Sequence, residues 1–333
     1  MSFLNKFKML TSAKYMYALG VGDSVVTLAA LQACPREESQ DLYHAGSYWR
    51  LVENDSMVVQ SADYAEAITE ILLKNKHLKF KKAPIQVVLS SELVEQVTID
   101  RPELPPSDIA PSLQWSLREL VSIPATDMLV DYFDPPVQAT PNKQIHVVAA
   151  SRQAVMPMVS ALHEFGLKIT GIIHADLIFG HWPAQGRRVM LISQMPQERA
   201  QLNIVANGRS FVTRRLRHSY DMNTIDPGDT EMMENLALEL QRSLDFYSGP
   251  MRQVQVSEIE LLVDNERAQD LCQAISVQLG IPVKLSPYPE WARNFQKEDY
   301  SDLLAIGGLQ WVLANDALQD RAELKATARE ANA

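Results

Sequence analysis

The sequence predicts a two-lobed α/β fold, on three observations. At 333 residues, the chain exceeds the roughly 250–300 residues that one hydrophobic core normally serves. Apolar segments of strand and helix character follow one another along most of its length. The order strand, strand, helix recurs in its first and last parts. Two lobes with related plans are therefore expected.

The first predicted unit begins with a pair of strands between Tyr17 and Ala33, which break near Gly20–Asp23. Its other predicted elements are a strand at Tyr48–Val52, a helix at Ala62–Lys74 and a short apolar strand at Ile85–Leu89.

A smaller β-α-β-β-α unit is predicted next. Ser107 is expected to cap its first helix, and Gly166 to end its second. The predicted elements are Glu95–Ile99, Ile109–Val121, Leu129–Phe133, Ile145–Ala149 and Ala154–Phe165.

The last unit is predicted to start with three strands, of which two are joined by a tight turn at Asn207-Gly208. These strands are Val189–Ile192, Ala200–Val205 and Ser210–Arg214. After a long helix, the remaining predicted elements are Ile259–Val263, Glu266–Gln278, Val283–Leu285 and a closing helix at Leu303–Ala314.

The long helix carries the most specific sequence pattern. Apolar residues recur at three- and four-residue steps on one face: Met233, Leu236, Leu240, Leu244 and Tyr247. Glu239, Arg242 and Asp245 share another face, close enough to pair. Asp229 or Thr230 is expected to cap its start and Gly249-Pro250 to end it.

Composition indicates a globular protein of a reducing compartment. The apolar fraction is 46% and the charged fraction 22%, and no apolar run reaches the roughly 18 residues that span a bilayer. The net charge of −10 argues against nucleic-acid binding. Cys34 and Cys272 have no CxxC partner, which disfavours disulfides and zinc sites. Cytoplasmic localisation is predicted.

The string E-L-Q-R-S-L-D-F-Y, from Glu239 to Tyr247, resembles the pilus-assembly proteins of the PilM type. Further segments resemble this family at Leu104–Asp108, Ile123-Pro124, Val147–Arg152 and Leu303–Leu309. The resemblance implies an actin-like ATPase (ribonuclease H-like) fold of two lobes with an inserted subdomain, as in PilM and FtsA. It sets the boundaries at 1–14 for a leader, 15–89 and 166–188 for the first lobe, 90–165 for the insertion, 189–314 for the second lobe and 315–333 for a polar tail.

Such proteins hold ATP and Mg²⁺ with carboxylates on two β-hairpins, and the resemblance shows what this chain lacks at the first. Gly20 stands at the position of the Mg-positioning aspartate, and Thr27 at that of a usual lysine. Gly22 and Ser24 are retained as candidate phosphate donors. Asp23 would add negative charge there rather than position a metal.

The other two nucleotide loops also depart from the family. Leu191–Pro196 replaces the second hairpin's D-I-G, and Val263–Arg267 replaces a glycine-rich turn. Glycine makes up only 13 of 333 residues, fewer than such phosphate loops favour. Glu239 and Arg242 are candidates to face a ribose or base, with a surface ion pair as the alternative. We therefore expect no catalytic residues, no metal ligands and no required cofactor, with ATP and Mg²⁺ left as a possibility.

Three other segments have two interpretations each. The basic run Arg214–His218 is either a solvated strand end or a patch for an acidic partner. Phe3, Leu4, Phe7 and Leu10 share a helical face beside lysines, which indicates either packing on the protein's own domain or peripheral membrane contact. His174 and Asp176 form a carboxylate–imidazole pair that is expected to be solvated.

The resemblance implies an adaptor rather than an enzyme. PilM-type proteins bind the cytoplasmic N-terminal peptide of a PilN-like inner-membrane partner, in a groove between the first lobe and the inserted subdomain. Here the groove is expected around Gln114–Val121 and near Ile85–Leu89, at the inner-membrane assembly complex of a type IV pilus. Two alternatives remain: a divergent Mg-ATPase that uses Asp23 or Asp176, and a filament-forming protein.

Overall fold

The structure is a computed structural model that describes residues 13–39, 42–44, 46–140, 142–182 and 187–315. The predicted leader lies outside these residues except for its last two positions, and the predicted tail except for its first. The proposed membrane-contact residues Phe3, Leu4, Phe7 and Leu10 are therefore outside the described part of the chain.

The first lobe is built on a six-stranded sheet, in which the predicted hairpin is central. Strands β1 and β2 pair antiparallel, whereas β1, β5 and β9 run parallel. The order across the sheet is β3-β4-β2-β1-β5-β9. These strands are β1 (Tyr15–Val21), β2 (Val25–Cys34), β3 (Tyr43–His44), β4 (Ser47–Val58), β5 (Pro84–Leu89) and β9 (Lys168–His174).

The second lobe repeats this plan with a five-stranded sheet in the order β12-β11-β10-β13-β14. Its strands are β10 (Arg188–Ser193), β11 (Gln201–Ala206), β12 (Arg209–Arg215), β13 (Glu258–Leu262) and β14 (Val283–Leu285). The predicted turn between β11 and β12 is confirmed, since Asn207 and Gly208 both have positive φ, 52° and 76°, as a two-residue hairpin loop of type I′ requires.

The two sheets share the same connectivity. In each lobe three strands pair antiparallel in chain order, and a further strand then joins the first of them in parallel. The predicted two-lobed α/β fold is confirmed.

A three-stranded sheet in the order β6-β8-β7 lies between β5 and β9 in sequence. Its strands are β6 (Val94–Asp100), β7 (Met128–Phe133) and β8 (Gln144–Ser151). Helix α2 (Pro106–Ser116) packs Ile109 and Leu113 on this sheet. We refer to these three strands and α2 as the inserted unit.

The cap of α2 differs from the prediction. Pro105 is the residue before the helix, and no side chain caps it. The Ser107 hydroxyl donates instead to Asp108, 3.0 Å away. Pro106 occupies the first helical position, where proline is favourable because the N–H groups of the first turn have no partner within the helix. The helix also ends at Ser116 rather than near Val121.

The last helix of the predicted insertion belongs to the core of the first lobe. Helix α3 (Arg152–Glu164) buries Val155, Met158 and Leu162 together with α1 (Tyr64–Lys74), on one face of the six-stranded sheet. It connects β8 to β9, an edge strand that the sequence analysis did not predict. The structural reason is that β9 needs a covered face, which α3 supplies.

Two helices fill the space between the two sheets. They are α4 (Ala175–Phe179) and α7, described over residues 303–315. Their apolar residues form one core with Ala18 of β1 and with Leu191 of β10. The lobes therefore share a hydrophobic core. On its other face the second sheet is covered by α5 (Thr230–Ser248) and α6 (Ala268–Leu279).

The approach of α7 to the first sheet leaves no room for side chains at three glycines. A Cβ on Gly308 would lie 2.7 Å from Val88 Cγ2 and 3.2 Å from Ala18 Cβ, and one on Gly307 would lie 2.5 Å from the Ile178 side chain. A Cβ on Gly20 of β1 would lie 2.6 Å from Leu304 Cβ. Glycine at these positions sets the distance between α7 and its neighbours.

Gly308→Ala tests this packing. It is expected to lower the free energy of unfolding by about 1–3 kcal/mol, because the added methyl overpacks the core. The measurement is the midpoint of urea denaturation. Gly228→Ala is the matched control, since Gly228 is exposed and only the Asp226 side chain, 3.2 Å away, approaches its Cβ. Equal midpoints for the two variants would contradict the prediction.

Candidate functional site

The turn of the first hairpin, Gly22–Ser24, contacts the second lobe instead of facing an open cleft. The Gly22 N–H donates to the Val25 carbonyl at 2.8 Å, closing the turn. The Ser24 hydroxyl donates to the carbonyl of Pro196 at 3.2 Å, and the Asp23 N–H donates to Glu198 Oε1 at 2.8 Å. Both predicted phosphate donors, Gly22 and Ser24, therefore already have protein partners.

Glu198 is the central residue of this contact. It lies in the loop between β10 and β11, and it is 8% exposed. Its second oxygen, Oε2, accepts the Ser90 hydroxyl at 2.7 Å. Burial raises the pKa of the Glu198 carboxyl to about 7, against the hydrogen bonds from Ser90 and the Asp23 N–H, and the charges of Glu92 and Asp23 raise it further. We call the bonds of Glu198 to Asp23 and Ser90 the Glu198 contact.

The family resemblance implies a metal-positioning aspartate at residue 20 of the first hairpin. This chain has glycine there, and the packing around it leaves no room for a side chain. Gly20 pairs with Thr27 across the hairpin, and a Cβ at residue 20 would lie 2.6 Å from Thr27 Oγ1 and 2.8 Å from the Ala305 amide nitrogen. Thr27 is buried, and its hydroxyl has no hydrogen-bond partner among the described residues. An aspartate at residue 20 would therefore displace α7.

The loop of the second hairpin is held by side-chain bonds of its own. Gln194 donates to Asp221 Oδ1 at 2.8 Å and accepts the Met222 N–H at 2.6 Å. These bonds fix the loop to the segment that follows β12. The Gln194 side chain is only 6% exposed, and its hydrogen bonds hold the loop in place. The family resemblance implies a metal-binding loop at this position.

The segment Val263–Arg267, where the family resemblance implies a glycine-rich turn of the nucleotide site, is also bound by protein groups. The Asn265 side chain donates to the carbonyls of Met222 and Ile225 at 2.9 and 3.1 Å. The Asp264 N–H donates to Asn223 Oδ1 at 2.9 Å. The backbone that would approach a nucleotide is thus bound to the loop preceding α5.

The two predicted ribose- or base-facing residues are not brought to the first hairpin by any contact described. Glu239 forms an ion pair with Arg217 at 3.4 Å, while Arg242 is exposed. The predicted pairing along this face of α5 is therefore wrong: Asp245 accepts instead from Gln241, four residues before it, at 2.7 Å. The cap prediction is confirmed, since the Asp229 side chain accepts the Met232 N–H at 3.0 Å.

Asp176, one of the two carboxylates considered for an ATPase, lies elsewhere. It is 5% exposed and accepts bonds from the Ser91 hydroxyl, at 3.1 Å, and from the Gln201 amide. His174 Nε2 is 3.8 Å from its second oxygen. The expectation that His174 and Asp176 are solvated is wrong, because α4 starts directly after β9 inside the shared core. Burial lowers the pKa of His174, against the charge of Asp176.

Part of the predicted basic run joins the second lobe to the inserted unit. Arg199 donates to both oxygens of Glu92, at 3.1 and 3.3 Å, and Arg215 donates to Oε2 at 3.3 Å. Arg215 also donates to the Val94 carbonyl at 3.2 Å. Burial tends to raise the pKa of the Glu92 carboxyl, but the two arginines hold this pKa below its usual value. Arg215 is thus neither a solvated strand end nor free for an acidic partner.

A groove of about 950 Å³ separates the inserted unit from the second lobe. Residues 95–98 of β6 form one wall, and residues 209–211 and 213–215 of β12 form the other. Asp176 and Gln201 lie at its floor. Both walls are edge strands in their sheets among the described residues.

This groove differs from the expected one, which was placed between the first lobe and the inserted subdomain. Of the expected segment Gln114–Val121, Leu120 lines it, and that segment's contact with a peptide stays a prediction. The expectation for Ile85–Leu89 is wrong. Strand β5 pairs with β1 on one side and β9 on the other, and all its residues are buried.

Among residues 13–39, 42–44, 46–140, 142–182 and 187–315, no group of three or more His, Cys, Asp or Glu side chains has the arrangement of a metal site. No helix in the same part of the chain has the length and apolarity needed to cross a membrane.

Two sheets with the same connectivity, two helices between them and an inserted unit in the first lobe define an actin-like ATPase fold. Solved structures agree. The PilM–PilN type IV pilus biogenesis complex is 18% identical over 90% of this chain and 97% of that chain, with a TM-score of 0.57. A Bacteroides thetaiotaomicron protein with an actin-like ATPase fold and unknown function is 10% identical over 89% and 97%, with a TM-score of 0.51.

The cytoplasmic domain of EpsL, an inner-membrane component of the type II secretion system of Vibrio cholerae, is 9% identical over 92% of this chain and 95% of that chain, with a TM-score of 0.48. No family model matches the chain, and no curated protein matches it in sequence. The fold rests on the two structures with TM-scores of 0.57 and 0.51.

Gly20→Asp tests whether the missing metal carboxylate alone separates this chain from an ATPase. The variant is expected to lose about 3 kcal/mol or more of unfolding free energy, because it overpacks α7 and buries a carboxylate without a partner. It is also expected to gain no Mg-dependent phosphate release. Thermal denaturation and a phosphate-release assay measure the two effects.

Asp23→Ala is the control for this experiment, since Asp23 is exposed and its backbone N–H is retained. Its stability is expected to change little. A Gly20→Asp variant that is as stable as the wild type and releases phosphate with Mg²⁺ would refute the interpretation of the hairpin.

Proposed function

We propose that this protein is a cytoplasmic adaptor of a type IV pilus assembly platform, bound to an inner-membrane complex, and that it does not hydrolyse ATP. Its ligand is the cytoplasmic N-terminal peptide of a PilN-like partner, bound in the groove between β6 and β12. The observation that carries this proposal is the pair of strand edges that face each other across that groove.

Edge strands bind extended peptides well. Their outward N–H and C=O groups have no partner within the sheet, so an extended segment can add main-chain hydrogen bonds. Consecutive residues of both β6 and β12 line the groove. A peptide between them has an edge available on each side.

The side chains of the groove favour a peptide of mixed character. Val97, Phe133, Phe211 and Trp311 supply apolar surface, where a buried apolar side chain contributes about 25 cal/mol per Å². The exposed Arg214 supplies positive charge at the β12 edge.

The state of the nucleotide loops supports an adaptor over an ATPase. The Glu198 contact occupies the Asp23 N–H, and α7 fills the place of a metal-positioning carboxylate at Gly20. An ATPase would need both places for phosphate and Mg²⁺.

Two likenesses support the choice of pilus system and partner. The solved PilM–PilN complex is by its name an assembly of these two proteins in type IV pilus biogenesis. The wording of the string from Glu239 to Tyr247 is similar to that of MshI, of the mannose-sensitive haemagglutinin pilus, and we propose that this chain is a component of that kind. Phe3, Leu4, Phe7 and Leu10 are an accessory membrane contact in this proposal.

The test is fluorescence anisotropy with the labelled N-terminal cytoplasmic peptide of the platform's inner-membrane partner. The wild-type chain is expected to bind it. Gln96→Trp is expected to weaken binding at least about tenfold, or 1.4 kcal/mol, because Gln96 is an exposed residue of the β6 wall and tryptophan would fill the groove.

Gln273→Trp is the matched control, because Gln273 is exposed on α6, away from the groove. It is expected to bind as the wild type does. Absence of peptide binding by the wild type would overturn the proposal, and equal binding by both tryptophan variants would exclude this groove as the site.

A further inference from the structure

Glu198 connects three parts of the molecule that are far apart in sequence. It lies in the second lobe, and its two oxygens accept from the first hairpin, at the Asp23 N–H, and from Ser90, directly after β5. The bonds span 175 and 108 residues of chain. They are therefore contacts between the lobes rather than local turns.

The chemistry of this contact is that of an anion site. A backbone N–H at a tight turn and a serine hydroxyl are typical donors to a phosphate oxygen. Here each donates to one oxygen of the same carboxyl group, which is buried together with Ser90, while the Asp23 residue itself is exposed. Among the described residues, Glu198 has no cation within ion-pair distance. The Asp23 N–H and the Ser90 hydroxyl therefore have their hydrogen-bond acceptor within the protein itself.

We infer that the two oxygens of the Glu198 carboxyl group take the place of the acceptor oxygens of a ligand anion between the two hairpins, and that this group holds the lobes closed without nucleotide while taking up a proton on closure. This inference does not depend on the proposed function, because it concerns the opposite hairpins and not the groove.

The charges around Glu198 favour that proton. Asp23 faces it from the first hairpin and Glu92 from the segment after β5, and both are acidic. Tyr64, at the start of α1, is a further titratable group nearby: burial raises its pKa, and the charges of Asp23 and Glu198 raise it further. Arg199, its neighbour in the loop, is bound to Glu92. In the described part of the chain, no Lys or Arg side chain forms an ion pair with Glu198, and Arg199 is paired with Glu92 instead.

The direction of the pH effect follows from this surrounding. The carboxyl has a pKa of about 7 in the closed form, above the 4.5 of a solvated glutamate. The closed form therefore binds the proton more tightly than an open one. Its added stability is fully present below the solvated value and is lost as the pH rises through about 7.

Hydrogen–deuterium exchange of the Asp23 amide measures the contact in the wild-type chain. After correction for the intrinsic exchange rate, exchange is expected to be about tenfold faster at pH 8 than at pH 6, which is the change in closure that a pKa near 7 gives. A corrected rate that does not change with pH would overturn the coupling to a proton, without any substitution being made.

Two variants separate the bond from the proton. Glu198→Gln keeps an oxygen for the Asp23 N–H and an amide that can donate to Ser90, so protection is expected at all pH values and its pH dependence is expected to disappear. Glu198→Ala is expected to lose protection of the Asp23 amide. Glu103→Gln, at an exposed position, is the control and should behave as the wild type.

Inorganic phosphate is the probe for the anion site in Glu198→Ala. Millimolar phosphate is expected to restore protection of the Asp23 amide, because the two donors are then free. Circular dichroism establishes that the variant is folded. Protection that persists in Glu198→Ala without phosphate, or that phosphate fails to restore, would overturn the substitution of a ligand anion by Glu198.

Discussion

The close packing of α7 on β1 is the constraint on which the rest of this molecule depends. Only glycine fits at Gly20 and Gly308, because a Cβ at residue 20 would meet Leu304 of the helix and a Cβ at residue 308 would meet Val88 and Ala18 of the first sheet. This contact sets the spacing of the two sheets around their shared core. The hairpins at the ends of β1 and β10 then meet, and the Glu198 contact forms where they meet.

Burial and charge explain why this meeting is stable although it involves a carboxyl group. Each Glu198 oxygen has a donor, which offsets part of the cost of removing it from water. The remaining cost is relieved by a proton, as the raised pKa indicates. Nearby, Glu92 remains ionised because Arg199 and Arg215 bind it. The two neighbouring carboxyl groups of Glu198 and Glu92 thus differ in protonation because they have different hydrogen-bond and ion-pair partners.

The sequence predicted the fold better than it predicted the site. Periodicity identified α5 and its Asp229 cap, and the hairpin turn at Asn207, because these depend on neighbouring residues. The assignment of α3 to the insertion failed since its partner α1 is distant in sequence. Gly20 was identified as a missing carboxylate, but the helix that excludes a side chain there is 284 residues away. Glu198 carries no local motif, and only the three-dimensional approach of two turns shows its role.

The blocked hairpin also bears on how such a chain can change over generations. A carboxylate at residue 20 requires α7 to move, while vacating the anion site requires loss of Glu198, and neither change alone yields a nucleotide-binding cleft. Each single change removes packing or hydrogen bonds. Under the proposed function, two positions 178 residues apart in sequence would therefore have to change together before phosphate and Mg²⁺ could occupy these hairpins.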